Sequence, residues 1–445
     1  MSRLAAFLLV SLCFTSLITA GDFESSKTEN WHHWRGPLAT GSAPRANPPL
    51  TWSDKQNIQW KVEIPGRGSA TPIVWEDRVF VLTAIRTDRI DPNLPKPEDQ
   101  PKRPFGITFP NQYYDFVVLC LDRATGETLW SKVATRQIPH RGHHDDNNFA
   151  SASPTTDGQR LYAWFGSRGF YCYDLDGTLL WQRDLGRVSM RRSFGEGSSP
   201  VIHGDTLIVV RDQEEQSYIA ALDANTGEPK WKVERDEQST WATPLVVERD
   251  GRTQVITNAT NRVRSYDLSN GKLIWECGGQ VGNVTPSPVA AGELVVCMSG
   301  YRGNAAYAIP LDSQGDVTEG NHTVWSLDRG TPYVPSPLLH EGLLYFNQSN
   351  NAILSCIEFA SGKSVIDRTR MPGLRRIYAS PVAAAGRVYY VARDGTTLVI
   401  RHGTQFEVLA TNKLSDPIDA SPAVVGDQLF LRGQKHLYCI SATGG

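Results

Sequence analysis

Residues 151–181 read SASPTTDGQRLYAWFGSRGFYCYDLDGTLLW, and this one stretch contains every element of a unit that recurs along the chain. A Ser-Pro anchor, Ser153-Pro154, is followed by the short turn TDGQR, a β-rich run, a second apolar run and a second turn, DLDG, that leads to Trp181. Asp or Asn followed by Gly between apolar runs is hairpin chemistry, because Gly supplies the positive φ that such turns demand. Each unit therefore predicts four antiparallel strands, lettered A to D from the axis outward.

The same Ser/Thr-Pro anchor recurs at Thr71-Pro72, Ser199-Pro200, Thr243-Pro244, Ser287-Pro288, Ser336-Pro337, Ser380-Pro381 and Ser421-Pro422. After a first interval of 82 residues the prolines are 41 to 49 apart, the period of a four-stranded propeller blade. Residues 420–440 have three strands and no fourth, whereas NIQWKVEI at 57–64 matches a fourth strand with nothing before it. Joining these fragments leaves no free seam. The expectation is an all-β, eight-bladed propeller over residues 57–445, with an arm at 21–56 and an insertion at 86–115.

Six of the 12 tryptophans (Trp60, Trp130, Trp181, Trp231, Trp275 and Trp325) hold one repeat position, which reads as packing between blades. Cys120, Cys172, Cys356 and Cys439 occupy a third-strand slot filled elsewhere by Ala221, Ser265 and Ala308, so they read as small buried fillers in separate blades. Pairing of Cys277 with Cys297 stays open.

The chain has 445 residues and a formal charge of −2, which removes the electrostatic footing for nucleic-acid binding. Arg3, the apolar run Leu4–Ile18 and the small residues Thr19 and Ala20 read as a secretory signal peptide over 1–20, implying export to the periplasm or beyond. Cys13 follows the bulky Leu12 inside the apolar run, which speaks against a lipid anchor. No later segment has the ~18 apolar residues of a membrane span.

Up-and-down strands put the short A–B and C–D turns on one face. The B–C and D–A connections lie opposite, and the long stretches 86–115, 131–150, 182–198 and 366–379 fall there. Long loops on a rigid scaffold are where binding concentrates. Three positions ahead of each anchor proline, Ser69, Ser151, Gly197, Trp241, Thr285, Val334, Tyr378 and Asp419 should ring the axis, with Glu196 and Tyr333 one position earlier. Arg191, Arg192, Arg375 and Arg376 lie in the loops above. Aromatic platforms, carboxylates and arginines at one mouth suit a polar planar ligand or a peptide segment, or else they pair with one another and plug a wet channel. The loop RQIPHRGHHDDNNF offers His140, His143, His144, Asp145 and Asp146 as metal ligands, without any fixed zinc spacing. There is no GxSxG elbow, HExxH, P-loop or nucleotide fingerprint.

The anchors and DxxTGxxxW hairpins resemble the PQQ-like β-propeller repeat superfamily, which includes quinoprotein alcohol dehydrogenases and the lipoprotein of the outer-membrane β-barrel assembly machinery. HHWRGPLATG, PGRGSATPIVWEDRVFV, TPYVPSPLL and ASPAVVGDQLFLRGQKHLYCI are similar to secreted, planctomycete-type members. The first resemblance implies a protein-binding scaffold or, alternatively, a dehydrogenase holding pyrroloquinoline quinone and Ca²⁺. In the latter Asp419 or Glu196 would be base or ligand, Trp241 a stacking floor, and Arg375 or Arg376 a partner of the cofactor's carboxylates. The adjacent cysteines of such enzymes are missing here. The expectation is a monomeric, non-catalytic binding propeller with no cofactor and a protein or polymer partner.

Overall fold

Why the anchors repeat is explained by the axis of the computed structural model, which describes residues 20–320 and 322–442. The signal-peptide reading and Cys13 fall on residues 1–19, outside the described residues. At seven successive junctions the backbone N–H of one anchor Ser/Thr donates to the hydroxyl of the next. The chain runs Thr71 to Ser153 (2.9 Å), Ser153 to Ser199 (2.9 Å), Ser199 to Thr243 (3.1 Å) and Thr243 to Ser287 (2.9 Å). It continues from Ser287 to Ser336, Ser336 to Ser380 and Ser380 to Ser421, each 2.9 Å. A residue without a hydroxyl would leave a buried N–H unpaired at the preceding blade.

Around this ring stand eight antiparallel sheets, an eight-bladed propeller. Blade 8 is completed as expected: Ile58–Glu63 pairs with His436–Ile440, with Trp60 opposite Cys439. The insertion is shorter than the sequence implied, because strand B of blade 1 runs through Arg78–Ile90 and strand C begins at Gln112. Strand D of the same blade extends over Thr128–Gln137, taking up the start of the stretch read as a loop at 131–150. Blades 2 and 6 do likewise, with strands Leu179–Arg183 and Ser364–Arg370. The cause is pairing: each strand D keeps its ladder for as long as strand C offers partners.

The repeated tryptophans join neighbouring blades. Trp60, Trp130, Trp181, Trp231 and Trp325 each donate their indole N–H, at 2.7–3.0 Å, to a carbonyl at the C–D turn of the next blade (Arg123, Leu175, Ala224, Leu268 and Phe359). The ring lies on the turn glycine; at Gly126, with φ +77°, a Cβ would come within 2.7 Å of Trp60. Trp275 is the exception and donates to Gln254 of its own blade at 3.3 Å. The next blade has replaced its turn with a short strand, Gly315–Asp316, that pairs in parallel with the strand carrying Trp275. Opposite the tryptophans sit the small fillers: Cys120 faces Trp130, Cys172 faces Trp181 and Ala221 faces Trp231. All six described cysteines, Cys277 and Cys297 included, are free and buried.

The arm is part of the ring's floor. Trp31 exchanges backbone hydrogen bonds with Val74 of blade 1 (2.9 and 3.0 Å), and the carbonyl of His32 accepts from Thr156 of blade 2 (3.1 Å). The chain then crosses the axis, where Thr40 accepts from Leu339 of blade 6, and Gly41 and Ala43 pair with Ala383 of blade 7. Innermost strands have an unpaired edge, and the arm covers four of them. Arg35 fastens the crossing. Its buried guanidinium donates to the carbonyls of Pro337 (2.8 Å), Thr40 (3.1 Å) and Pro381 (3.1 Å), two of them anchor prolines. Burial pushes its pKa down to about 9.

Two outcomes follow. Trp60→Ala, which empties the contact that closes the ring, lowers the unfolding free energy by about 3–5 kcal/mol in urea titrations; a change below about 1 kcal/mol would show that the seam closes without it. His33 is buried in the arm, its Nδ1 accepts the Arg35 N–H (3.2 Å), and burial followed by the nearby Arg35 charge hold its pKa down to about 3. Between pH about 6.5 and 3 the unfolded chain therefore binds a proton here that the folded chain refuses. Stability falls by up to about 1.4 kcal/mol per pH unit on acidification. His33→Gln should flatten that slope in urea titrations at pH 6.5 and 5.0, and an unchanged slope would remove His33 as its source.

Candidate functional site

All eight residues three positions ahead of the anchor prolines line one axial channel of about 380 Å³. They converge because each is the last residue before the chain turns down into strand A at the axis. Six anchor hydroxyls (Thr71, Ser153, Ser199, Thr243, Ser380 and Ser421) face the same space, and Trp34 of the arm lies against its floor. A serine or threonine hydroxyl that accepts one N–H keeps its own proton and a lone pair, so the ring presents polar groups to whatever enters.

The mouth is aromatic. Phe105, from the blade 1 insertion, packs edge-on against His144 (centroids 5.3 Å) and Phe194 (5.2 Å), and Phe194 leads on to Trp241 (6.4 Å). Trp241 is fixed by donation from its indole N–H to the Gly195 carbonyl at 2.7 Å. Across the channel Tyr301 lies over Tyr333 at 4.9 Å, and burial pushes the Tyr333 phenol up to about 12. Every one of these rings comes from a D–A or B–C connection or the residue that follows it.

Charge is confined to one wall. Arg393 pairs with Asp419 through Nε (2.6 Å) and Nη2 (3.0 Å), and through Nη1 with Asp146. Asp146 also accepts the Tyr378 hydroxyl (2.7 Å), which accepts from Arg376 (2.9 Å). The two carboxylates are driven apart. Burial works against the Asp146 charge but is outweighed by the hydrogen bonds from Arg393 and Tyr378, so its pKa lies below the usual range. At Asp419 burial prevails over Arg393 and the pKa is raised. Environments that separate two neighbouring carboxylates in this way can assign them different proton-transfer roles.

Other expected residues are placed differently. Glu196 does not reach the channel: its carboxylate is held by Arg168 (2.5 Å) and the Ser167 N–H (2.9 Å) in an adjoining pocket. Arg191 and Arg192 line a smaller groove of about 230 Å³ beside the mouth, next to Phe194 and Tyr301. Arg375 is exposed on the surface, and Arg376 reaches the wall only through Tyr378 and, at 3.6 Å, Asp146.

The histidine loop gathers no ligand set. His140 is bonded to the Val188 carbonyl (2.9 Å), His143 to the carbonyl of His144 (2.8 Å), and Asp145 points to solvent. Burial lowers the pKa of both His140 and His143. His144 and Asp146 are the members that enter the channel. Sequence reasoning missed Arg393, Phe105, Phe194 and Trp34. The positions of Phe105 in 86–115 and Phe194 in 182–198, both long stretches on that face, could have marked two of them, whereas Trp34 and Arg393 come to the site by tertiary packing.

Residues able to hold pyrroloquinoline quinone are present in kind: Trp241 as a face, Arg393 or Arg376 as a carboxylate partner, Asp419 as a base. Their charges are already matched to one another. Among the described residues no cluster of carboxylates that would suit Ca²⁺ lines the channel.

Solved structures that share the fold include the following three. BamB from Moraxella catarrhalis is 15% identical, with a TM-score of 0.54, over 81% of this chain and 100% of that chain. The quinohemoprotein alcohol dehydrogenase from Comamonas testosteroni is 12% identical, with a TM-score of 0.62, over 96% of this chain and 82% of that one. A europium-containing methanol dehydrogenase is 10% identical, with a TM-score of 0.56, over 94% and 92%. No curated protein matches the sequence. Residues 115–368, more than half of the chain, match the family model described as outer membrane protein assembly factor BamB, and this propeller belongs to that family.

Proposed function

We propose that this protein is a binding propeller acting outside the cytoplasm, which takes a planar ligand or a side chain of a protein or polymer partner into the aromatic mouth of its axial channel. The observation that carries the reading is the convergence of Phe105, Phe194, Trp241, Tyr301, Tyr333 and Tyr378 on a single channel floored by the arm. Rigid aromatic anchors lose little entropy on binding, and a ring locked by backbone hydrogen bonds pre-organises them. The Arg393 wall would select for a polar or charged edge on the ligand. Family membership supports a scaffold role, since BamB is described as an assembly factor.

The reading is tested by crosslinked capture from envelope extracts with wild-type protein and with Trp241→Ala/Tyr378→Ala. Both side chains are only half-buried, so the variant stays folded. Capture should fall by tenfold or more; equal capture by a folded variant would exclude the channel mouth.

One observation favours a second reading, a quinoprotein dehydrogenase of alcohols or sugars: Asp419, with its raised pKa, stands in the channel within reach of an arginine. When bound, the quinone would accept the hydride or electrons of the substrate. Asp419 would take up the hydroxyl proton while Arg393 orients the bound group. Titration with pyrroloquinoline quinone and Ca²⁺ separates the two, because a ligand of the native state must raise Tm. The binding reading expects no shift at concentrations well above micromolar, and a saturable shift with dye reduction, lost in Asp419→Asn, would replace it.

A further inference from the structure

On the face opposite the channel, strand A of blade 6 (Leu338–His340) ends in the turn Glu341-Gly342, beside the turn that follows strand C of blade 7 (Thr396–Arg401). His340 and Glu341 from the first turn and His402 from the second each offer a ligand atom within 4.8 Å of the others. It is the only such cluster of three among the described residues. His340 Nε2 lies 3.7 Å from one Glu341 oxygen, and His402 Nε2 lies 3.4 Å from the other. An ion held tetrahedrally at about 2.0–2.1 Å sets its ligands about 3.3–3.4 Å apart, close to this spacing.

The imidazoles are oriented from behind. His340 Nδ1 is bonded to the Ser42 hydroxyl of the arm at 2.7 Å. His402 Nδ1 is 3.1 Å from the Tyr345 hydroxyl, which itself lies 3.1 Å from the Gly403 carbonyl. The same hydroxyl accepts the Gly403 N–H at 2.9 Å, and with its own proton given to the Gly403 carbonyl it accepts a second hydrogen from His402. His402 Nδ1 then carries a hydrogen and its Nε2 presents a bare lone pair. Hydrogen bonds that fix the far nitrogen in this way are the usual support of metal-binding histidines.

A second observation points to a ligand. The side chain of His340 is only 4% exposed, yet its Nε2 has no hydrogen-bond partner. Buried polar atoms are seldom left so. Nor does the repeat require a histidine: the same position is Trp75 in blade 1, Ala384 in blade 7 and Val425 in blade 8, and although blade 3 also has a histidine there, His203, it belongs to no such cluster among the described residues. Glu341 and His402 remain reachable from solvent.

We infer that His340 Nε2, His402 Nε2 and the Glu341 carboxylate form a binding site for a divalent transition metal, Zn²⁺ by ligand type, which clamps blade 6 to blade 7 under the arm. Two imidazoles and one carboxylate favour zinc over the oxygen-seeking Ca²⁺ and Mg²⁺, and solvent supplies the fourth position. The site is remote from the channel and independent of the function proposed there.

The test is titration of chelator-treated full-length mature protein with Zn²⁺, and with Co²⁺ as a spectroscopic probe. The expected result is one equivalent of Zn²⁺ bound at micromolar or tighter affinity, a rise in Tm, and the visible absorption of tetrahedral Co²⁺. His402→Ala, at a turn where the side chain is 14% exposed, should weaken binding about 100-fold or more, Glu341→Gln should weaken it too, and Ser42→Ala should cost about tenfold through the orientation of His340. Failure of the wild-type protein to bind saturably would overturn the inference, as would unchanged affinity in a folded His402→Ala/Glu341→Gln variant.

Discussion

A backbone N–H donating to the hydroxyl of the next blade's anchor is the contact on which this molecule depends. It recurs from Thr71 to Ser421 and ties all eight sheets together at the axis. The bond asks for a short hydroxyl side chain whose neighbour has no N–H to compete for the acceptor, which Ser-Pro and Thr-Pro supply. Outside this ring five of the six strand D tryptophans repeat the same logic at larger radius, the indole N–H donating to a neighbouring turn while the ring face covers a glycine. Together they hold the blades at two radii, and a rigid ring leaves the connections free to vary.

That freedom is used unequally on the two faces. Opposite the short turns, long connections lean inward and build an aromatic mouth, with Arg393 shared by Asp146 and Asp419 as its one charged wall. On the short-turn face the arm crosses the axis, covers innermost strand edges and places Arg35 among three carbonyls with no carboxylate in contact. A guanidinium buried without a counter-charge is costly, and here it is offset by donation to the buried carbonyls of Pro337, Pro381 and Thr40. The arm thereby makes the channel a blind pocket, a shape suited to capture of a ligand or a projecting side chain.

The charged wall shows why the two functional readings stand so close together. Arg393 satisfies both aspartates, as a structural plug would, yet the same arrangement raises the pKa of Asp419 and lowers that of Asp146. Mutual pairing favours recognition and a raised carboxylate favours proton transfer. The aromatic lining serves either, because a flat face binds a cofactor ring and a partner's side chain by the same dispersion and edge contacts.

Local signals were sufficient for the fold. The eight Ser/Thr-Pro anchors, the Gly turns and the recurring tryptophan each reflect a contact inside a blade or with its neighbour, so period alone announced the blades, the shared seam at Ile58–Glu63 and the ring of Ser69, Ser151, Gly197, Trp241, Thr285, Val334, Tyr378 and Asp419. What the sequence could not contain is where a long side chain points once its loop is packed. Glu196 looked like an axial carboxylate and is turned aside by Arg168, His140 and His143 turn to separate carbonyls, and Asp146 rather than Asp145 enters the channel. Arg393 is 247 residues from Asp146, and Ser42 is 298 from His340. No spacing rule joins such pairs. Repetition along the chain determines which strands form and how they close, while the chemistry at the axis and between blades 6 and 7 exists only where loops and the arm, distant in sequence, are brought within hydrogen-bonding distance.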